Sequence, residues 1–558
     1  MLSPELEALF ELRGWNPFPY QRKVFTAYAE GRSGLVHAAT GTGKTWAVWL
    51  PVVEEGLREA AEGSGPSGRK TRRSAAPLRA LWITPLRALA ADTEAAMRIP
   101  LEASGLHWTL EQRTGDTAAS RRARQRERLP TTLITTPESL SLLLARDDAA
   151  QLFDDLRMIV VDEWHELMAS KRGVQVELAL ARLRRWRPAL RTWGLSATLG
   201  NITVAANALG GLDASGAPRP VMLVKGNVRR EVVIDAVIPV RIDRFPWAGH
   251  LGTTLVDDVA AIVRANTTTL VFTNTRSQTE LWYRAILERC PDLAPEIGLH
   301  HGSVSRAHRA VVEDRLRDGS LRAVICTSSL DLGVDFSPVD RVVQIGSPKG
   351  IARLLQRAGR SGHSPGRVSR ITCVPTHAFE LVEFAAVRAA AEAGLMESRE
   401  GIDAPLDVLA QHLVTCAMGG GFVGDELLAE VRTAWAYRNL AAVEWNWTLD
   451  FVAHGGTALR AYPEYNKLAL DGDGVWHPAD PQVSRRHRMS IGTIVSDASV
   501  TVRYLTGGVL GSVEESFVSR MRPGDRFLFA GRPLEFVRAR DMVVYVRRSK
   551  NKTGSVAR

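Results

Sequence analysis

The stretch best equipped for chemistry is Ala38-Ala39-Thr40-Gly41-Thr42-Gly43-Lys44-Thr45, set between the apolar residues Leu35 and Val36 and an amphipathic run through Val48, Trp49, Val52 and Val53. In a turn from strand to helix, glycines let successive backbone N–H groups close around a β-phosphate. Lys44 then reaches the outer phosphates, and the Thr45 hydroxyl can hold Mg²⁺. Ala38 stands where the strict pattern has glycine. Further on, the apolar run Met158-Ile159-Val160-Val161 leads straight into Asp162-Glu163-Trp164-His165. One carboxylate at a strand end suits a metal, and its neighbour suits a base that activates water. Loop and box together imply hydrolysis of a nucleoside triphosphate.

Other segments extend this reading. Phe18-Pro19-Tyr20-Gln21 precedes the loop, and the Gln21 amide offers the donor and acceptor that adenine requires, which favours ATP. Thr84-Pro85-Leu86-Arg87-Ala88-Leu89, Arg113-Thr114-Gly115-Asp116 and Thr136-Pro137-Glu138-Ser139 supply hydroxyls, amides and arginines. Such groups hold a phosphodiester backbone without reading bases. Ser196-Ala197-Thr198 ends another strand, where it can hydrogen-bond the acidic box and link hydrolysis to movement. Later come Phe272-Thr273-Asn274-Thr275-Arg276, the run from Cys326 to Asp335, and Gln356-Arg357-Ala358-Gly359-Arg360-Ser361-Gly362. Arg357 and Arg360, three apart, share a helix face. Aimed at a γ-phosphate they would be arginine fingers, worth about 10³–10⁵ in rate.

The elements that must position these groups alternate. Short apolar strands at 35–37, 81–84, 132–135, 158–161 and 192–195 are separated by helical patterns, which implies a parallel sheet covered by helices. A polar insertion at 62–77 reads as a surface loop. A second such block starts near Ile234, with strands at 270–273, 323–327, 341–345 and 371–374 and a helix at 303–317. Its apolar face is Val304, Ala307, Val311 and Leu316, and Gly319 ends it. This block has no phosphate loop, so one nucleotide site shared by both blocks is the economical arrangement. From Phe379 the pattern turns helical, at 379–395, 405–418, 426–439 and 445–454. A hairpin follows around Asp471-Gly472-Asp473-Gly474, as in a winged helix. After Met489, alternation at Val500, Val502 and Tyr504 and runs at 527–530, 534–537 and 542–546 read as a small antiparallel, barrel-like β unit. The expected domains are 1–215, 216–377, 378–485 and 486–558.

At 558 residues the chain exceeds a single core, and its formal net charge of +10 suits a polyanionic partner. Cys290, Cys326, Cys373 and Cys416 lie far apart with no C-x-x-C pair, which argues against a zinc ribbon or iron–sulfur cluster and fits a reducing compartment. His165 and His301 have no accompanying ligand cluster. No signal peptide or membrane-length apolar run is evident, so a cytoplasmic protein without membrane contact is expected. Trp435, Trp445 and Trp447 admit two readings, as core anchors or as platforms for bases.

The ordered motifs between residues 15 and 365 resemble those of superfamily 2 helicases of the DExH type; the box reads Asp-Glu-Trp-His rather than Asp-Glu-Ala-Asp. Pro405-Leu406-Asp407-Val408-Leu409-Ala410-Gln411-His412 and the stretch from Arg485-Arg486-His487-Arg488 to Ile494 are similar to the large helicase-related (Lhr) group. The likeness is strongest to its bacterial branch of ligase-associated DNA-damage-response DEXH-box helicases, whose members usually run longer, so the C-terminal β domain is expected to be incomplete. The resemblance implies two RecA-like motor domains, a winged helix and a β domain. It also implies an ATPase that depends on single-stranded DNA, moves 3′ to 5′ and unwinds duplex DNA or RNA:DNA hybrids in DNA repair. By the same resemblance, Thr40, Gly41, Thr42, Gly43, Lys44 and Thr45 bind phosphate, Thr45 and Asp162 serve Mg²⁺, and Glu163 orients the attacking water. Gln356 is catalytic, Arg357 and Arg360 act in trans, Gln21 reads adenine, and Gly333 and Asp335 lie near the nucleotide. Arg87, Thr114, Thr136, Thr275, Ser303 and Thr327 would touch the strand, while His165, Ser196 and Thr198 couple the sites. The expected partners are single-stranded DNA, 3′-tailed duplexes and a repair ligase or nuclease, and the protein itself is expected to be a nucleoid-associated monomer. The alternatives are an RNA helicase and a nucleotide-gated clamp without productive unwinding.

Overall fold

Four-residue runs such as Met158–Val161, buried on every side, are too short for helices and too apolar for an edge, so they form central strands of parallel sheets. The computed structural model describes all residues except 1, 40, 63–76, 227–230, 240–251, 332–338, 363–367, 457–465, 494–498, 519–520, 541–542, 550–554 and 557–558. Thr40, Gly333, Asp335 and most of the polar insertion lie outside the described residues. The chain divides into unit 1, Met1–Val228 with Ser398–Ile494, and unit 2, Arg229–Glu397 with Val495–Arg558.

Unit 1 is built on β1 (Gly34–His37), β2 (Ala80–Ile83), β3 (Leu110–Arg113), β4 (Thr132–Thr135), β5 (Met158–Val161), β6 (Arg191–Ser196) and β7 (Met222–Lys225). Their order is β3-β4-β2-β5-β6-β1-β7, parallel throughout. All five expected strands are present. The two edge strands were not anticipated: β3 reads Leu-Glu-Gln-Arg, because a strand at an edge need not be apolar. Since β7 pairs with β1, the first sheet extends beyond the boundary expected at 215.

The second sheet, in unit 2, comprises β8 (Val232–Ala236), β9 (Thr269–Phe272), β10 (Ile297–His300), β11 (Ala323–Cys326), β12 (Arg341–Ile345) and β13 (Ser369–Val374). It runs β10-β11-β9-β12-β13-β8, again all parallel. The helix Arg306–Arg317 starts later than expected, with the Ser305 hydroxyl capping His308 N–H. That shift changes the buried face: Val312 and Leu316 face the core, whereas Val311 is 57% exposed. The helix Phe379–Glu392 packs Phe384 and Val387 into this same core, so it belongs to the second motor block and not to the winged helix.

The winged-helix region joins unit 1. Helices Leu406–Met418, Gly424–Arg432 and Ala442–His454 accompany a small sheet of β14 (Phe422–Val423), β15 (Leu468–Leu470) and β16 (Val475–Pro478). Val174, Leu178 and Ala181 of the motor helix Lys171–Trp186 share one apolar cluster with Val408, Leu409 and Leu413. Polar ties reinforce it: Glu177 accepts from Ala436 N–H at 2.8 Å, and Arg182 pairs with Glu430 at 3.2 Å, both buried. His412, Cys416 and Glu430 converge nearby, but Arg182 already supplies positive charge to that pocket. Trp445 is buried in this core and Trp435 packs against the first motor core, whereas Trp447 is 57% exposed and stacks on Phe451.

The C-terminal residues form β17 (Ser499–Tyr504), β18 (Val509–Glu514), β19 (Arg526–Phe529), β20 (Arg532–Arg540), β21 (Val543–Arg548) and β22 (Ser555–Val556). The order β18-β17-β21-β20-β19-β22 makes an open sheet that is mixed, since β17–β21 and β19–β22 are parallel. It docks within unit 2. Gly511 bridges Val304, and a Cβ on Gly511 would come 1.6 Å from the Ser303 carbonyl. The Glu280 carboxylate accepts from Ala530 N–H, Gly531 N–H and, at 2.9 Å, His301. Two RecA-like sheets, a winged helix and a curled β module are therefore the fold class that the sequence implies.

Candidate nucleotide and strand-binding site

The phosphate loop leaves the end of β1, and Lys44 and Thr45 open the 19-residue helix Lys44–Glu62. Gly41 and Gly43 hold φ of 74° and 79°, which a side chain disfavours, and a Cβ on Gly43 would sit 2.8 Å from Gln21 Nε2. Lys44 is buried, with Nζ donating to the Ala38 carbonyl at 2.9 Å, and Thr42 Oγ1 donates to Ala39 O at 2.7 Å. Gln21 braces this loop. Its Nε2 donates to Gly43 O at 3.0 Å and its Oε1 accepts from Phe18 N–H at 2.8 Å, so reading adenine would need the amide to exchange partners. Tyr20 donates to Thr42 O at 2.6 Å, a support the sequence did not disclose.

Strand order places β6 between β1 and β5, so Ser196 lies between the phosphate loop and the acidic box. Asp162 and Glu163 are both buried. Asp162 accepts from Glu163 N–H at 2.9 Å and from the Trp82 indole at 3.3 Å. Burial, then the adjoining Glu163 carboxylate, push the Asp162 carboxyl well up, and Lys44 opposes them. Glu163 takes a left-handed backbone, φ 46° and ψ 44°, and its Oε2 is buried without a hydrogen-bond partner among the described residues. Non-glycine residues hold that conformation at a cost, typically at functional sites. Burial drives the His165 imidazole down to about 3, so it is neutral, with Nδ1 at 3.5 Å from Ala197 N–H and 3.4 Å from Glu163 Oε2. The Ser196 and Thr198 hydroxyls have no hydrogen-bond partner among the described residues.

The residues expected to touch a strand follow the C-terminal ends of β2, β3, β4, β9, β10 and β11. Arg87 and Thr275 are exposed, and Arg87 pairs with Asp116 at 3.1 Å. Thr114 accepts from Asp116 N–H, Thr136 caps Ser139 N–H, and Thr275 caps Gln278 N–H. Thr327 Oγ1 lies 3.3 Å from Ser329 Oγ. Ser303 is 3% exposed, and its carbonyl accepts from Ser512 N–H, so here it holds the β module. Arg172, which the sequence did not single out, ties two of these loops, donating to Pro85 O at 2.7 Å and to Glu138 at 2.5 Å. Although burial opposes it, this pairing holds the Glu138 carboxyl below its ordinary value.

In unit 2 the two arginines part company. Arg357 is 1% exposed, forks onto Asp331 at 2.7 and 3.1 Å, bonds Gln344 and lies 4.7 Å from the Phe272 ring centroid. That guanidinium is committed inside its own unit, contrary to the outward reach expected from a finger. Arg360 follows one turn on, and the Gln356 amide nitrogen is buried without a partner.

Three family models match in series: DEAD/DEAH box helicase over 18–205, helicase conserved C-terminal domain over 254–364, and large helicase-related protein winged helix domain over 389–556. The ATP-dependent helicase Lhr-Core of Methanothermobacter thermautotrophicus is 34% identical across 94% of this chain and 61% of its own length. The chain is similar to the Lhr helicases. The Escherichia coli Lhr helicase/uracil glycosylase is 30% identical over 93% of this chain and 36% of its own. The solved structure of Mycobacterium smegmatis helicase Lhr, bound to ssDNA and AMP-PNP, matches with a TM-score of 0.78 at 30% identity, over 89% of this chain and 63% of that one. The chain spans about three-fifths of the length of the archaeal relatives it matches.

Whether its residues suit Mg²⁺ can be judged from the donor set. Two adjacent buried carboxylates, one with an orphan oxygen, are opposed at Asp162 by Lys44 among the described residues, and a hard cation would add positive charge. Thr45 and Asp162 would hold the ion, which would neutralise charge on the β- and γ-phosphates. Among the described residues no helix is long and apolar enough to cross a membrane.

Proposed function

We propose that this chain is an ATP-driven 3′–5′ translocase that hydrolyses ATP in response to single-stranded DNA, separates duplex DNA or RNA:DNA hybrids, and serves DNA repair. The observation that carries the reading is the adjacency of β1, β6 and β5, which sets the phosphate loop, Ser196 and the acidic box side by side at one end of the sheet. Lys44 and the loop amides bind phosphate, Glu163 orients the attacking water, and neutral His165 with Ser196 and Thr198 links the box to strand-binding loops. Arg360 supplies the finger, while Arg357 positions its helix by gripping Asp331. The backbone-type residues Arg87, Thr114, Thr136, Thr275 and Thr327 favour binding with little sequence preference and strong salt dependence. Binding of single-stranded DNA by the mycobacterial relative supports the substrate class.

The test measures ATP turnover without polynucleotide, with single-stranded DNA and with RNA, then unwinding of 3′- and 5′-tailed duplexes. Stimulation by DNA and unwinding of the 3′-tailed substrate alone are expected. Turnover indifferent to any strand would sink the reading, and preference for RNA would replace the substrate.

A further inference from the structure

The segment 397–399, where the chain passes from unit 2 back to unit 1, is clamped at both ends by charged side chains. Both oxygens of Glu397, which ends the first segment of unit 2, accept from Ala352 N–H at 3.1 Å. The same carboxylate packs against Gly350, where an added Cβ would come 2.2 Å from Oε1. Those contacts sit at the start of helix Ile351–Ala358, which carries Gln356 and Arg357 and leads to Arg360. A carboxylate there is favoured by the helix dipole. One residue later, in unit 1, Arg399 donates to the His165 carbonyl at 2.6 Å and to Glu166 at 3.1 Å. Its backbone N–H donates to Asn201 Oδ1 at 3.0 Å, and its carbonyl accepts from Asn201 Nδ2 at 2.8 Å. Asn201 precedes helix Ile202–Gly210, three residues after Thr198. Only Ser398 separates the two anchors.

A connector needs length alone, and any three residues would supply it. Here each end grips the backbone of a segment bearing motif residues. We propose that 397–399 is a strut in which Arg399 is a positioning residue for the ATPase centre, its short backbone connecting a hydrogen-bonded anchor on the acidic box to one on the arginine-bearing helix. The inference rests on the strand-stimulated ATPase reading above. A shift of the helix start pulls on the His165 carbonyl through fewer than four residues, so strand engagement in one unit is transmitted to the box in the other.

The full chain, with R399A, R399K, E397A and the double variant E397A/R399A, is assayed for strand-free and strand-stimulated turnover, ATP KM, strand affinity and melting temperature. R399A is expected to cut the ratio of stimulated to strand-free kcat about tenfold, with KM, strand affinity and melting near wild type. R399K should restore most of the ratio, because an ammonium still reaches the carbonyl and Glu166. The double variant should be no worse than R399A, since breaking either end releases the strut. Equal loss of both rates with a lower melting temperature, or additive single effects, would overturn the strut. Wild-type turnover that no strand stimulates would instead overturn the underlying ATPase reading, and is recognised without any variant.

Discussion

Asp162 and Glu163 sit side by side with little exposure, and two buried carboxylates raise the free energy of the ionised site until positive charge arrives. Glu163, in its left-handed conformation, is the proposed base, since Asp162 is already engaged by Trp82 and the Glu163 amide. Glu163→Gln should leave nucleotide and strand binding intact while lowering turnover about 10²–10⁴-fold. Parallel loss of nucleotide binding would point to misfolding or loss of metal, and the assigned role would be wrong. The arginines offer a contrast that motif reading could not foresee, since spacing gave both the same face. Arg360→Ala should lower kcat about 10³-fold with unchanged melting. Arg357→Ala strands the buried Asp331 carboxylate and should destabilise unit 2 by about 3–5 kcal/mol. Thermal melts of the two variants beside their kcat values check this, and interchangeable behaviour would refute the division of labour.

Elements carried by long apolar context were legible, and those defined by their neighbours were not. Strands β1, β2, β4, β5 and β6 are buried apolar runs followed by motif residues, so sequence located them; β3 and β7 gain their identity from the single strand beside each. The helix at Arg306–Arg317 was found in the wrong phase because Val304 belongs to a bridge with Gly511, 207 positions away in the chain. The helix Lys171–Trp186 shows the same limit, for nothing near Glu177 announces its partner Ala436. Burial pushes the Glu177 carboxyl up to about 8 from its ordinary 4.5. Between those values the folded protein keeps a proton that the unfolded chain has released, so stability falls as pH rises through the window, by at most about 1.4 kcal/mol per pH unit. Glu177→Gln retains an oxygen for the Ala436 amide and removes the proton. Denaturant melts at pH 5.5 and pH 8.5 should show the variant gaining on wild type at the higher pH, and parallel curves would contradict the assignment.

Across the whole molecule, the sequential order of four expected domains conceals an interleaved assembly. The chain leaves unit 1 after Val228, returns at Ser398 and leaves again after Ile494, so the winged helix completes one unit and the β module the other. Composition could not reveal this, because the contacts join residues hundreds of positions apart and leave no local periodicity. Interleaving has a consequence that beads on a string would lack. Glu280 is 2% exposed and accepts from the backbone of the turn at Ala530–Gly531, and the Ser303–Ser305 loop hydrogen-bonds Leu510 and Ser512. Removing 495–558 would leave a buried carboxylate and its His301 partner facing water, with their backbone donors gone. Hydrogen exchange on the truncated chain should therefore show faster exchange in β9, β10 and β11 of unit 2, while β1, β5 and β6 of unit 1 keep their protection. The point variant Gly511→Val should produce the same asymmetry in weaker form, since its Cβ collides with the Ser303 carbonyl. Equal protection in both units after truncation would mean that the β module is an appendage, and the second motor sheet would then stand without it.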